Sequence, residues 1–258
     1  MEAEFERDWR LVARAAGWLT GGALLVATLL YLLDALDLLA KNHYQPTGRG
    51  LQDEANFWVA EFARQHQVLW DVIARDTLFP FAFVTLIVLG LAARSLVSMR
   101  SPTAQLMVAF FVVGGIVSAL SDLGYLAATD YWRETGWSAD VPERMVAVGR
   151  ATQTIGSLTR WPEAAGFVVL AAALVCLGRL CRNADSLPTR LATLAELEAL
   201  LLLGIAVAGA LESDTAYDIF SLLTGALVGP AVAIWLGMAL GRERTDVTAA
   251  PVASAPSA

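Results

Sequence analysis

Three aspartates have the chemistry needed to bind a cation or a proton. Asp34 and Asp37 lie three residues apart, so they share one face if their segment is helical, and Asp122 follows a separate apolar run. Carboxylate oxygens are preferred ligands of hard cations, and a carboxyl group beside like charges holds its proton more tightly. Asp34, Asp37 and Asp122 are therefore the candidate cation- or proton-binding residues.

The same aspartates also have a structural interpretation. Each side chain would then lie separately at the wet membrane surface, where an ionised group costs little. Glu163 is expected to begin a helix, because it follows Trp161 and Pro162. The further acids open to both interpretations are Glu163, Glu212, Asp214 and Asp218.

Two more acids, Glu196 and Glu198, fall near the opposite ends of the apolar segments. Residues two apart on a helix point to different faces, so they do not form a pair. Glu196 is expected to face Arg190 or the lipid headgroups, and both acids are assigned a structural role.

Six long apolar segments must position these acids. A bilayer core is about 30 Å thick and takes about 20 mostly apolar residues per helix. A hydrophobic fraction of 57% also exceeds the roughly 45–50% of soluble domains. The sequence predicts an all-α polytopic bundle of six transmembrane helices as a single domain over residues 1–244. The tail, 245–258, is rich in Ala, Pro, Ser and Thr, which predicts disorder. The apolar segments are Ala15–Leu33, Thr77–Ala93, Ser101–Ser121, Ala164–Gly178, Ala199–Leu211 and Ile219–Gly241.

Two long connecting segments have helical periodicity of their own. Apolar residues recur every three or four positions within 54–75 and again within 141–155. Asp140 and Glu143 resemble a capping box with Pro142 in the first turn, which is a helix-start signal. We expect an amphipathic helix in each of these two long outer loops, lying on the membrane interface or capping the bundle.

The distribution of arginine predicts the orientation of the chain. Short cytoplasmic loops carry an excess of Lys and Arg. With six spans, the basic flanks and short loops all lie on one side, so both termini are predicted to be cytoplasmic and loops 41–76 and 129–160 to be outside. The arginines that support this are Arg7, Arg10, Arg14, Arg94, Arg100, Arg179, Arg182, Arg190, Arg242 and Arg244.

Missing residue types argue against several classes of protein. No apolar segment contains His, and Lys41 lies at an interface, so haem, chlorophyll and retinal are not expected. HExxH, CxxC, P-loop and GxGxxG motifs are absent. Cys176 and Cys181 are five apart, which fits two buried apolar residues better than a redox or zinc site. We expect no cofactor and no metal, and the sequence leans away from an enzyme.

Small residues and one proline predict how the helices pack. Gly17 and Gly21 form a GxxxG motif, which favours packing within the bundle over dimerisation. Pro230, after Gly229, falls near the middle of the sixth span and should kink that helix.

Parts of the chain resemble a family of bacterial multi-spanning membrane proteins of unknown function. The residues that carry the resemblance are Asp76-Thr-Leu-Phe-Pro-Phe-Ala, Asp122, Gly229-Pro230 and Ile234-Trp235-Leu236-Gly237. The resemblance implies no particular activity and supplies no site residues.

Two functions from different classes remain open at this point. The sequence favours a non-enzymatic inner-membrane protein that acts by interaction with membrane lipids, with other membrane proteins or with a second copy of itself. The alternative is a small transporter or channel-like protein with an acidic outer vestibule that binds cations or protons. The net charge of −7 argues against a nucleic-acid partner.

Overall fold

The computed structural model describes residues 2–36, 38–40, 44, 50–97, 101–137, 141–184 and 187–242. Six helices among them are long and apolar enough to cross a membrane, which confirms the predicted all-α bundle of six spans. The predicted tail at 245–258 lies outside the described residues. The helices are α1 (Glu2–Ala35), α2 (Leu51–Gln67), α3 (Leu69–Val97), α4 (Pro102–Trp137), α5 (Pro142–Asn183), α6 (Thr189–Ala210), α7 (Asp214–Leu223) and α8 (Gly229–Leu240), with a π-helical turn (Thr224–Val228) between the last two.

The six crossings form a ring. Going round it, α1 packs on α3, α3 on α4, α4 on α5, α5 on α6, α6 on α7 and α8, and α8 on α1. Successive crossings run in opposite directions, so the start of α1 and the end of α8 lie at the same end of the bundle. We call this end the terminal face and the opposite end, which carries α2, the α2 face.

Glycines bring α1 and α8 into close contact. A Cβ atom on Gly17 would lie 2.8 Å from the Cα atom of Gly237, and one on Gly21 would lie 3.0 Å from the carbonyl oxygen of Pro230. Only a residue without a side chain allows such an approach, which is the packing expected of small residues in a membrane. The predicted role of the GxxxG motif within the bundle is confirmed.

The second long loop differs from its prediction. The expected separate amphipathic helix is the first part of α5, which begins at Pro142 as the sequence indicates and continues to Asn183. Pro162 lies inside this helix, so Glu163 does not begin a helix and that expectation is wrong. Proline is tolerated within membrane helices because neighbouring groups can satisfy the backbone carbonyl that it frees.

The first long loop contains an amphipathic helix, but a shorter one than the pattern indicates. The chain breaks at Val68, which separates α2 from α3, so the second part of the periodic segment 54–75 belongs to a membrane-crossing helix. α2 is held by its own small core, in which Phe62 packs with Met145 and Val148 of α5. This core turns α2 across the end of the ring and away from the axis of α3.

The sixth crossing is interrupted close to its proline. The π-helical turn ends at Val228, and the backbone N–H of Gly229 donates to the carbonyl oxygen of Thr224. Pro230 has no N–H to offer the preceding turn, so regular helical hydrogen bonding cannot continue through it. The predicted irregularity is present here as a widened turn, a form that is often found at functional sites.

Candidate functional site

A large cavity opens at the α2 face. Its volume is about 870 Å³, and we call it the vestibule. Aromatic side chains of α2 form one wall, and α3, α4, α5 and the loop that precedes α7 form the others. Its lining includes Tyr31, Phe57, Trp58, Glu61, Arg75, Asp76, Ser121, Asp122, Tyr125, Gln153, Arg160, Glu163, Glu212, Asp214 and Tyr217.

Two carboxyl groups lie at the inner end of the vestibule. Asp122 of α4 and Glu163 of α5 are each about 30 Å from the terminal-face end of their helices, at 1.5 Å per residue. Both are half-buried. The hydroxyl of Tyr217 donates to Glu163 Oε1 at 2.9 Å. Neither acid is in an ion pair within the described part of the chain, so both carboxyl groups remain able to bind a cation or a proton.

Asp34 has a different environment from Asp122. Its Oδ1 accepts a hydrogen bond from Arg64 of α2 at 2.5 Å, and its Oδ2 accepts one from Arg75 of α3 at 3.4 Å. Arg75 also donates to Asp76 at 3.0 Å. Asp34 is thus neutralised by two guanidinium groups and does not line the vestibule, whereas Asp122 does. Asp37, the third predicted site residue, lies outside the described residues.

Arg64 joins α2 to this ion-pair group. Besides Asp34, it contacts Glu61 one turn earlier, with 2.8 Å between Nη2 and Oε1. The hydrogen bond to Glu61 raises the pKa of Arg64, so its guanidinium stays charged. Side chains of both pairs are about 15% exposed. The group therefore fixes α2 over the mouth of the vestibule.

The other predicted acids are spread around the rim. Asp214 accepts a hydrogen bond from Arg160 at 3.1 Å, and Asp218 accepts one from Tyr31. Glu212 has a positive φ of 53° in the turn between α6 and α7. Among the predicted acids that the structure describes at this end, only Glu163 lies with Asp122 at the inner end of the vestibule, which we call its floor. The other described acids suit the structural interpretation.

A second cavity lies inside the ring, towards the terminal face, and has a volume of about 150 Å³. Most of its wall is apolar and comes from all six crossings. Five residues line both this inner cavity and the vestibule: Tyr31, Phe79, Asp122, Glu163 and Tyr217. The two cavities therefore meet at the pair of carboxyl groups.

Glu198 lies on the wall of the inner cavity. It is about 14 Å along α6 from Thr189, which is near the middle of a core about 30 Å thick. Its side chain is 95% buried, and its Oε2 atom has no hydrogen-bond partner within the described residues. The sequence interpretation missed this position because it began the fifth apolar run at Ala199; counting from Leu191 would have placed Glu198 mid-span.

Glu196 was expected to face Arg190 or the lipid headgroups. It accepts a hydrogen bond from Arg182 of α5 at 2.6 Å, so its arginine partner is not the expected one. The tight packing of α6 against Gly178 brings Glu196 to α5. Glu196 therefore has the structural role proposed for it, whereas Glu198, two residues further along the helix, faces the cavity.

The site has little that would hold a multivalent metal. Within the described parts of the chain, no group of three or more His, Cys, Asp or Glu side chains is arranged to bind a metal ion. Comparison with protein-family models, with curated proteins and with solved structures found no match for this chain.

Proposed function

We propose that this chain is a small transporter or channel-like protein that moves protons or cations across the bacterial inner membrane. The observation that carries the proposal is that Asp122 and Glu163 line both the vestibule and the inner cavity. Ionisable groups inside a membrane are costly, and by default they mark ion pathways. Here two of them lie where a wide opening meets a narrow internal space.

The charges around the vestibule support an ion-binding role. Arg64 and Arg75 neutralise Asp34 and Asp76 at the rim, which keeps those acids in fixed pairs. Glu61, Asp76 and Asp214 also line the vestibule, but each pairs with an arginine. Asp122 and Glu163 have no ion-pair partner in the described chain, so their carboxyl groups are the ones available to an incoming cation or proton.

The arginine distribution supports an orientation with the vestibule outside and both termini in the cytoplasm. Arg14 donates to the carbonyl oxygen of Gly241 at 2.7 Å, and Arg182 pairs with Glu196, so several of the counted arginines lie at the terminal face. The positive-inside rule assigns such an end to the cytoplasm. Outward-facing apolar side chains such as Trp18, Leu120 and Leu200 are suited to contact with lipid.

Flux into liposomes tests the proposal. The purified full chain is reconstituted into vesicles that contain a pH-sensitive dye, and a potassium diffusion potential drives cation entry. Asp122→Asn and Glu163→Gln should each reduce the rate at least tenfold. Glu196→Gln is the matched control, since Glu196 pairs with Arg182 near the terminal face and does not line either cavity.

A negative result would favour the other interpretation of the sequence, a protein that acts by interaction rather than transport. If parent vesicles show no more proton, sodium or potassium flux than empty ones, transport is excluded. The chain would then act by contact with lipids or protein partners. If all three variants retain the parent rate, ion movement does not use the vestibule floor.

A further inference from the structure

We propose that Glu198 is a proton-binding residue halfway across the membrane and that protons reach it from the vestibule past Glu163 and Tyr217. This inference rests on the proposed function and deepens it by naming the proton as the ion. It assigns a role to a residue on the far side of the inner cavity from the vestibule floor.

The environment of Glu198 requires a bound positive ion or a proton. The side chain is 95% buried, and its Oε2 atom has no hydrogen-bond partner among the residues described. An isolated carboxylate in an apolar medium costs far more than folding can supply. Glu196, two residues earlier, has Arg182 as a cationic partner, whereas no basic side chain of the described chain lines the cavity at Glu198.

The side-chain oxygen atoms around Glu198 are few for a divalent metal cation. Thr28 and Thr224 line the same wall, and their hydroxyl oxygens are also buried without a hydrogen-bond partner in the described residues. Hard cations such as calcium take six to eight oxygen ligands, and magnesium takes six. One carboxyl group and two hydroxyls fall short of that number, so a divalent cation would need most of its ligands from backbone carbonyls or water, whereas a proton needs only one oxygen.

Besides Glu198, the ionisable groups that face the inner cavity are carboxyl groups and tyrosine hydroxyls. They are Tyr31 of α1, Asp122 of α4, Glu163 of α5 and Tyr217 of α7, and the described parts of α3, the π-helical turn and α8 add none. No Lys, Arg or His in the described chain lines this cavity. No positively charged side chain in the described chain is therefore available to neutralise Glu198 in place of a proton.

The route runs through the cavity that the two carboxyl groups share. A proton taken up at Glu163 Oε1 or Oε2 leaves that carboxylate when it passes inward, and it forms one O–H bond at Glu198 Oε2. A cavity of about 150 Å³ has room for several water molecules, each of which takes about 30 Å³ in the liquid. Polar groups at both ends give such waters partners.

The backbone of the sixth crossing is shaped around the Glu198 carboxyl. A Cβ atom on Gly229 would lie 3.0 Å from Glu198 Oε1. The π-helical turn that ends beside Gly229 brings Thr224 to the cavity, and Thr28 packs against Gly225 of the same turn. The small residue and the widened turn together leave the carboxyl group accessible from the cavity.

Infrared spectroscopy of the full chain in lipid tests whether Glu198 binds a proton. A protonated carboxyl group has a carbonyl band above the amide region, and this band disappears on ionisation. The parent-minus-Glu198→Gln difference should contain such a band, and raising the pH should remove it. Glu196→Gln is the matched control on the same helix and should leave the band in place. Glu198→Gln should also lower proton flux at least tenfold.

Each result separates this inference from the proposed function. If the difference band is missing at every pH, Glu198 does not bind a proton, and Asp122→Asn still decides whether the vestibule carries ions. Loss of the band on adding sodium at constant pH would show that Glu198 binds an alkali cation, and this would overturn the inference that the ion is a proton. A titrating band without flux in the parent would support proton binding and contradict transport.

A second variant covers the case in which Glu198→Gln does not fold. Glu198→Asp keeps the acid but shortens it by one methylene, so its carboxyl band should persist with a shifted midpoint and with measurable flux. A folded Glu198→Asp that lacks both the band and the flux would overturn the inference.

Discussion

Gly229 lies directly against the carboxyl group of Glu198. A Cβ atom at residue 229 would be 3.0 Å from Glu198 Oε1 and 2.7 Å from the carbonyl oxygen of Thr224. Real Cβ atoms seldom approach other atoms so closely. The absence of a side chain at residue 229 therefore determines where the buried acid can lie.

Gly229→Ala should lower the stability of the protein and displace the carboxyl group of Glu198. Overpacking costs about 1–3 kcal/mol, against a gain of about 1 kcal/mol in helix propensity. The difference is a net loss of about 0–2 kcal/mol, and we expect the upper part of that range because the Thr224 carbonyl belongs to the backbone and cannot rotate away. Gly22→Ala is the control, because a Cβ atom there meets nothing within 4 Å. Thermal unfolding in lipid compares the two, and equal midpoints would contradict the packing.

Arg64→Met should loosen α2. The change leaves Asp34 and Glu61 without their shared guanidinium at about 15% exposure, although Arg75 still contacts Asp34. Breaking a fully buried pair costs about 3–5 kcal/mol, so we expect about 2–3 kcal/mol here. Hydrogen exchange of the α2 amides measures this local loss.

The control for that change is an exposed arginine. Arg7 pairs with Asp8 at 3.8 Å, with side chains 71% and 68% exposed. Arg7→Met should change amide exchange by less than about 0.5 kcal/mol, because exposed pairs contribute little. Comparable effects from the two arginine changes would show that Arg64 does not anchor α2.

Lowering the pH should weaken the attachment of α2, in part because Glu54 becomes protonated. Arg150 donates to both of its carboxylate oxygens, at 2.8 and 2.7 Å, and this hydrogen bonding lowers the pKa of Glu54. The folded pKa lies below the unfolded value of about 4.3, so the stabilisation is present above that pH and disappears as the pH falls through the folded pKa. Amide protection of α2, corrected for intrinsic exchange, should drop over this range less steeply in Glu54→Gln. Identical acid profiles would exclude the contribution.

Labelling of single cysteines checks the orientation. Cys176 and Cys181 are first replaced by alanine, and a cysteine is then placed at Gly50, which precedes α2 at the α2 face. An impermeant maleimide should label it in intact cells. Labelling that requires permeabilisation would reverse the orientation and place the vestibule in the cytoplasm.

The number of spans could be predicted because hydrophobicity along a helix is a local property. Gly17 and Gly21 likewise indicated close packing, and Gly229-Pro230 indicated an irregular helix, since small residues and proline act on their own segments. Each of these predictions depended on a few neighbouring residues.

The partners of the acids could not be predicted in the same way. Asp34 meets Arg64 and Arg75 across 30 and 41 residues, and this meeting depends on the break at Val68. The encounter of Asp122 with Glu163 depends on the order of helices around the ring. Glu198 was misplaced because the predicted apolar run began at Ala199, whereas the helix begins at Thr189, and this late boundary hid the depth of Glu198.

The depth of Glu198 makes its occupancy sensitive to voltage. Moving one elementary charge across a whole membrane changes its energy by about 2.3 kcal/mol per 100 mV. A proton that enters from the vestibule and stops about halfway crosses about half of that field, or about 1.2 kcal/mol per 100 mV. In the proposed orientation, a potential of about 100 mV, negative in the cytoplasm, would thus favour protonation of Glu198 about as strongly as acidifying the outside by nearly one pH unit. The buried acid would respond to the electrical state of the cell as well as to its surroundings.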